Sequence, residues 1–375
     1  MNSQPMPTRL PVRPEFADEQ PYGAPQLDVP ICLNVNENPY PPSPELVASI
    51  QEAVGQAAKN LNRYPDREAM DLRADLADYL AEESGVRLPP EQIWAANGSN
   101  EIISQLMTAF AGPNRTVLSF APTYSMYPEY ARNCYARYCA AERTDSYDID
   151  LDIARNACKK ERPALILLAS PNNPTGTALP QEQLVELLEI ARGTGPDEGT
   201  SSIVVVDEAY GEFRRDGVPS ALELLDTYDN LVVSRTMSKA FGAAGLRLGY
   251  MAASQDIIDQ VRIVRLPYHL SAITQAAARA ALAHRAPLRE QVATIRRNRD
   301  RMAEDLRALG LTVLDSDANF VLFGTFNNRH ALWQGILEHG ILIREVGPEG
   351  FLRVSIGTDE ENAAFLAALK EVIHG

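Results

Sequence analysis

The sequence predicts an α/β protein, with a large, mostly parallel β-sheet domain covered by helices on both faces and a smaller α+β domain joined to it. Three observations predict this. Between about residues 45 and 285, short β-rich apolar runs alternate with helical patterns, and apolar runs separated by helices indicate a parallel sheet buried on both sides. A chain of 375 residues can bury a large core and still divide into one large and one smaller domain. Beyond about residue 286 the rhythm changes to a long amphipathic helix, three strand-like runs and a closing helix rich in alanine and leucine.

Residues 1–30 carry seven prolines and no periodic apolar pattern, so they read as an extended N-terminal arm. Residues 31–44 are expected to share the core of the small domain, which then comprises 31–44 and 286–375. The large domain, 45–285, takes its strands from "IWAAN" (93–97), "TVLSFA" (116–121), "ALILLAS" (164–170), "SIVVVDEAY" (202–210), "LVVSRT" (231–236) and "LGYMAA" (248–253). The stretch "ARGTGPDEGTSS" (191–202) reads as a surface loop between a helix and a strand. In the small domain the long helix presents Leu288, Val292, Ile295, Met302, Leu306 and Leu309 on one face, and strands are expected near 318–323, 341–345 and 351–356.

Composition narrows the function classes. A net charge of −15 argues against nucleic acid or an anionic membrane surface as partner, since both want a basic face. No apolar run approaches the roughly 18–20 residues of a membrane span, and the N-terminus lacks the basic-then-apolar pattern of a secretory signal. Cys32, Cys134, Cys139 and Cys158 show neither CxxC pairing nor zinc-ligand spacing, so reduced thiols in a cytoplasmic protein are expected. The five histidines form no HExxH pair, and no metal site is expected.

In open α/β sheets ligands gather at the carboxyl ends of the strands, so the polar residues just past each apolar run carry the functional reading. After "IWAA" comes "NGSNEII". Gly98 allows close backbone approach, Ser99 can cap the following helix, and a helix start with free amides is an anion site. After "ALILLAS", the turn "PNNPTG" (171–176) presents asparagine amides. After "IVVV", Asp207 falls at a buried strand end, where a carboxylate needs a cation or hydrogen-bond donors, and Tyr210 follows three residues on. After "LVV" comes "SRTMSKAFGAAGLRLGY" (234–250). The chain has only five lysines among 35 basic residues. Lys239 alone of the five lies among small hydroxyls, an aromatic ring and glycines, with Ser238 beside it and Arg247 eight positions later. Each piece alone also fits an ordinary cap, turn or ion pair. Together they offer an anion cradle, an amide, a phenol, a buried carboxylate and a desolvated amine able to form a Schiff base with a carbonyl. Those are the requirements of pyridoxal 5'-phosphate.

The set NGSNEI, YSMYP, SPNNPTG, DEAY and SxSKxxGxxGxRxGY resembles the fold-type-I aminotransferases, with Thr236 where several relatives have serine. Within them, "LNVNENPYPPSPEL" (33–46), "LNRYPDREAMDLRADLADYL" (61–80) and "RLPYHLSAITQAAARAAL" (265–282) resemble the histidinol-phosphate aminotransferase branch, over nearly the whole chain from residue 21. The resemblance implies transamination between L-histidinol phosphate and 2-oxoglutarate in histidine biosynthesis, with an aromatic amino-acid aminotransferase of the same fold as the alternative. It implies that Lys239 carries the cofactor and acts as acid and base, that Asp207 pairs with the ring nitrogen, and that Asn173 and Tyr210 bind the ring oxygen. Tyr124 would stack on the ring, while Ser99, Asn100, Thr236, Ser238 and Arg247 would hold the phosphate. Tyr64 would reach the phosphate of a neighbouring subunit, making a homodimer with shared sites. Tyr22, Asn38, Arg344 and Arg353 would bind substrate, the arginines as forks for an anion. A salt bridge of Arg344 or Arg353 with Glu345 or Glu349 is the competing structural reading.

Overall fold

The computed structural model describes residues 10–17 and 19–374. Residues 1–9 and 18 of the expected arm lie outside the described residues. In chain order the strands are β1 (Ile31–Cys32), β2 (Ile93–Ala96), β3 (Thr116–Ala121), β4 (Arg137–Glu142), β5 (Leu165–Ala169), β6 (Ile203–Asp207), β7 (Leu231–Thr236), β8 (Gly249–Ala253), β9 (Thr312–Val313), β10 (Phe320–Gly324), β11 (Ile341–Leu342) and β12 (Leu352–Ser355).

Seven of them form one sheet in the order β2-β8-β7-β6-β5-β3-β4. β8 runs antiparallel to both of its neighbours, and the remaining pairs are parallel. Every residue of β2, β5, β6, β7 and β8 is buried, as strands covered on both faces must be. Side chains alternate between two cores: Ile166, Leu168, Val204, Val206 and Val233 on one face, and Leu165, Leu167, Val205 and Val232 on the other. Each such aliphatic side chain contributes about 1.5–3 kcal/mol when fully buried. β4 has no counterpart in the expected strands. Its sequence "RYCAAE" leaves three of six residues exposed, because it closes the sheet at an edge and has no apolar run to reveal it. The reversal at β8 matters for the site, because the connection 237–248 turns over the carboxyl edge of the parallel strands.

The C-terminal part builds a three-stranded antiparallel sheet, β12-β10-β9, while β1 pairs in parallel with β11. Residues 31–33 thus pack with the last part of the chain, and Leu33 joins the core of Ile295, Met302, Phe320, Phe323, Val354 and Phe365. Tyr210 and Phe213, from the segment after β6, belong to that core as well. The helix Arg285–Ala308 buries Leu288, Ile295, Met302 and Leu306, and also Arg299 on the same stripe. Its guanidinium donates to the carbonyls of Phe213 (2.7 Å) and Ala318 (3.3 Å), which lets a cation occupy a core position.

Candidate active site

The carboxyl ends of β2, β5, β6 and β7, the loop 122–125 and residues from both ends of the chain surround a cavity of about 270 Å³. Thirteen of the residues singled out in the sequence line it: Tyr22, Ser99, Asn100, Tyr124, Asn173, Asp207, Tyr210, Thr236, Ser238, Lys239, Arg247, Arg344 and Arg353. Asn38 and Tyr64 do not. The Asn38 amide donates to the Ala240 carbonyl (3.0 Å) and to Gln291 (3.3 Å), bracing the turn behind Lys239. Tyr64 is 78% exposed and stacks on Tyr268 with ring centroids 4.3 Å apart.

At one end the chain closes tightly enough to form a cradle. The helix Ser99–Phe110 begins at Gly98, whose φ of +84° favours glycine. Gly98, and not Ser99, is therefore the N-cap. A Cβ on Gly98 would lie 2.8 Å from the Arg247 guanidinium, and one on Gly249 would lie 2.1 Å from the Ser99 amide. Only glycine at both positions lets the guanidinium and the free amides of the helix start come together. Arg247 donates to Ser238 Oγ (3.3 Å), and Thr236 Oγ1 donates to the same oxygen (3.0 Å). Amides, hydroxyls and a guanidinium so arranged bind a phosphate-like anion.

Asp207 ends β6, 6% exposed. It accepts from Ser234 Oγ (3.1 Å), the Ala209 amide (3.2 Å) and, at a longer 3.4 Å, the Tyr127 hydroxyl. Burial outweighs these donors and pushes the carboxyl up to about 6, the condition of an acid awaiting a cation. Lys239, on the turn after β7, directs Nζ to the Val35 carbonyl at 2.8 Å. Burial, then Arg353 and Arg247, push its ammonium down to about 8, against the opposing pull of Glu37. An amine with that value is a usable nucleophile and proton carrier near neutrality.

Arg353, on β12, is buried over the Phe320 ring (5.0 Å). It donates to Asn173 Oδ1 (2.6 Å) and to the Asn34 carbonyl (2.8 Å), while its Nε has no partner. Burial pushes this guanidinium down to about 10. Arg344 pairs with Arg353 through backbone hydrogen bonds of 3.0 and 2.9 Å, so the two forks stand side by side. Among the described residues neither makes a salt bridge; Glu345 is taken by Arg329 and His330. Tyr124 meets Tyr127 edge-on, centroids 5.6 Å apart. Tyr22 bonds Ser125 Oγ at 3.0 Å, which brings the arm to the cavity mouth.

Four contributors escaped the sequence reading. Ser234 and Tyr127 hold Asp207, and their signal was a polar group in a buried strand and helix, since such groups need partners. Val35 and Asn36 lie in "NVNEN", within the stretch 33–46 that carries the family resemblance, and nothing in it says what they face.

A buried acid, a desolvated amine and an anion cradle at the strand ends of a doubly covered sheet define an enzyme that works through a carbonyl cofactor on amines. The family model for aminotransferase class I and II matches residues 29–369, and the chain belongs to that family. It is 53% identical over 364 residues to histidinol-phosphate aminotransferase 3 of Burkholderia lata, covering 97% of this chain and 96% of that one. It is also 53% identical to the histidinol-phosphate aminotransferase of Thermobifida fusca, covering 96% and 95%. Among solved structures, the histidinol-phosphate aminotransferase of Sinorhizobium meliloti in complex with pyridoxal-5'-phosphate superposes with a TM-score of 0.80 at 28% identity, covering 92% of this chain and 91% of that one. The architecture is the fold-type-I aminotransferase fold.

Proposed function

We infer that this protein catalyses pyridoxal-phosphate-dependent transamination between L-histidinol phosphate and 2-oxoglutarate, giving imidazole-acetol phosphate and L-glutamate, in histidine biosynthesis. The observation that carries the reading is the convergence of Lys239, Asp207 and the Ser99–Ser238–Arg247 cradle on one cavity. The groups fit the cofactor: an anion cradle closed by glycines, an amine of lowered basicity, and a buried acid with no cation partner. When bound, pyridoxal phosphate supplies a carbonyl carbon for amine exchange and a cationic ring that accepts the electron pair left when the substrate carbon loses its proton.

The chain's own residues do the rest. Ser99, Asn100, Thr236, Ser238 and Arg247 hold the phosphate. Asp207 keeps a proton on the ring nitrogen, Asn173 and Tyr210 bind the ring oxygen, and Tyr124 covers a ring face. Lys239 Nζ would carry the cofactor and, once free, would take the proton from the substrate carbon and deliver it to the carbon that bore the cofactor's carbonyl. Arg344 and Arg353 bind the substrate anion, a carboxylate in glutamate and a phosphate in histidinol phosphate, with Tyr22 at the mouth. We assign cofactor binding to residues 45–285, the small domain to 31–44 with 286–375, and an arm to 1–30.

We also propose a homodimer whose sites are shared through Tyr64. Its exposed ring, and the exposure of Leu61, Ile263 and Leu266 in the same two segments, support this, because large apolar side chains gathered on a surface mark an interface. A cytoplasmic location accords with four free cysteines and with the absence, among the described residues, of any helix long and apolar enough to cross a membrane.

The test is a paired rate comparison, with glutamate as donor to imidazole-acetol phosphate or to phenylpyruvate. A kcat/KM for imidazole-acetol phosphate well above that for phenylpyruvate is expected. The reverse order would make the protein an aromatic aminotransferase.

A further inference from the structure

Three consecutive residues ahead of the large sheet touch three different groups of the site. The Asn34 carbonyl accepts from Arg353, the Val35 carbonyl accepts from Lys239, and the Asn36 amide donates to the Tyr210 hydroxyl at 3.0 Å. Asn36 is 2% exposed and has a φ of +57°, a backbone that asparagine tolerates and bulkier residues do not. Asn319 donates to its carbonyl at 3.1 Å.

The direction of each proton in this cluster can be worked out. Ser355 Oγ accepts from the Asn36 backbone N–H at 2.9 Å and lies 2.8 Å from Asn36 Oδ1. A hydroxyl has one proton and two acceptor sites; among the described residues the buried Ser355 hydroxyl has no other acceptor for its proton, so Ser355 gives it to Oδ1. That fixes the amide with Oδ1 toward Ser355 and the NH₂ toward Tyr210. Tyr210 then receives a hydrogen bond at its oxygen, and among the described residues nothing accepts its own proton. Since Tyr210 lines the cavity, the phenol is left to donate into it. The surrounding Phe320 ring, edge-on at 5.1 Å, offers no competing acceptor in the plane.

We propose that Asn36 is a positioning residue for the aminotransferase reaction. Oriented by Ser355, it holds the Tyr210 hydroxyl as a donor facing the cofactor's ring oxygen. This rests on the reading of Tyr210 given above. An acceptor in place of the amide would turn the phenol proton away from the cavity, with no change of shape.

The experiment compares holoenzyme variants by the dissociation constant for pyridoxal phosphate and the absorption maximum of the bound cofactor, with thermal unfolding recorded for each. Asn36→Gly keeps the left-handed backbone and removes the amide; Asn36→Asp keeps the shape and presents an acceptor. Each should weaken cofactor binding by about tenfold, the loss of one good hydrogen bond, and move the absorption maximum as Tyr210→Phe does. In a Tyr210→Phe background Asn36→Gly should add nothing. Wild-type affinity and spectrum in Asn36→Asp, or full additivity with Tyr210→Phe, overturns the proposal. Tyr210→Phe indistinguishable from wild type overturns the reading of Tyr210 itself. If the Asn36 variants do not fold, Ser355→Ala decides. It should show a smaller loss that vanishes in the Tyr210→Phe background, and no loss in the wild-type background overturns the proposal.

Discussion

Asp207→Asn should act in opposite directions on the cofactor-free fold and on the enzyme. The carboxyl ends a buried strand with three donors and no cation, and burial carries it from 3.8 to about 6. The folded chain therefore holds a proton that the unfolded chain releases above about pH 4. Stability of the cofactor-free protein from this group falls as pH rises from about 4 to about 6, and the full penalty stands above that. At about 1.4 kcal/mol per tenfold change in proton affinity, the penalty is roughly 3 kcal/mol. This is an upper bound, because an amide keeps only part of the hydrogen bonding from Ser234, Ala209 and Tyr127. The variant, freed of the charge, should melt several degrees above wild type at pH 8 without cofactor, and the gap should close toward pH 4. With pyridoxal phosphate bound the order reverses. The ionised Asp207 gains a cationic partner that an amide cannot match, so wild type gains more from the cofactor and the variant loses turnover by orders of magnitude. Calorimetry at pH 5 and pH 8, with and without cofactor, checks both halves. A cofactor-free variant less stable than wild type at pH 8, with near-normal turnover, would show that Asp207 is a structural carboxylate.

Borohydride reduction and peptide mapping should place the pyridoxyl group on Lys239; a label on Lys59 or Lys370 refutes the assignment. Cofactor uptake by the cofactor-free protein should accelerate with pH to a midpoint near 8, because the neutral amine is the nucleophile, and a midpoint near 10.5 would refute the desolvated environment. Arg353→Lys cannot keep both its 2.6 Å and 2.8 Å contacts and still fork an anion. Binding of glutamate and of histidinol phosphate should each weaken roughly ten- to a hundredfold with cofactor absorbance retained, and full affinity for both removes Arg353 from the site. Mixing Tyr64→Phe chains with Lys239→Ala chains should partly restore activity, since one site in each heterodimer escapes both defects. Verified heterodimers without rescue count against a shared site.

What the sequence made legible follows from where its signals are local. Asp207 announces itself because four β-branched or aliphatic residues precede it, and Lys239 because its neighbours are uncharged. β4 has no such signal, for an edge strand is apolar on one side only. The stripe of the helix Arg285–Ala308 reads correctly except at Arg299, whose burial depends on carbonyls 86 and 19 residues away in the chain. Asn36 is the clearest case. Its partner Tyr210 lies 174 residues on and Ser355 lies 319 residues on, so nothing within "NVNEN" says which way the amide faces. The contacts that orient the amide come from tertiary packing alone.

The charges around the cavity suit anions although the protein as a whole is strongly acidic. Lys239, Arg247, Arg344 and Arg353 line one small space against a single carboxylate, Asp207. Burial and mutual repulsion act on this cluster: Lys239 is held down by burial, Arg353 and Arg247, and Arg353 by burial and Arg344. Left alone, the two buried ones oppose folding, because Lys239 and Arg353 have each lost water and stand near like charges. On the proposed assignment, a cofactor phosphate at Arg247 and a substrate carboxylate or phosphate at Arg344 and Arg353 would supply counter-charges. Binding free energy is then drawn partly from relief of that repulsion, and a neutral substrate of the same size gains none of it. The net charge of −15 is that of the whole chain, so the molecule outside the cavity is more acidic still. At physiological ionic strength charge is screened within about 8 Å, so the cations lining the cavity dominate the local field there. On that assignment, the arrangement that costs the free protein stability would also be the one that recognises an anionic amino donor, whether its anion is a carboxylate or a phosphate.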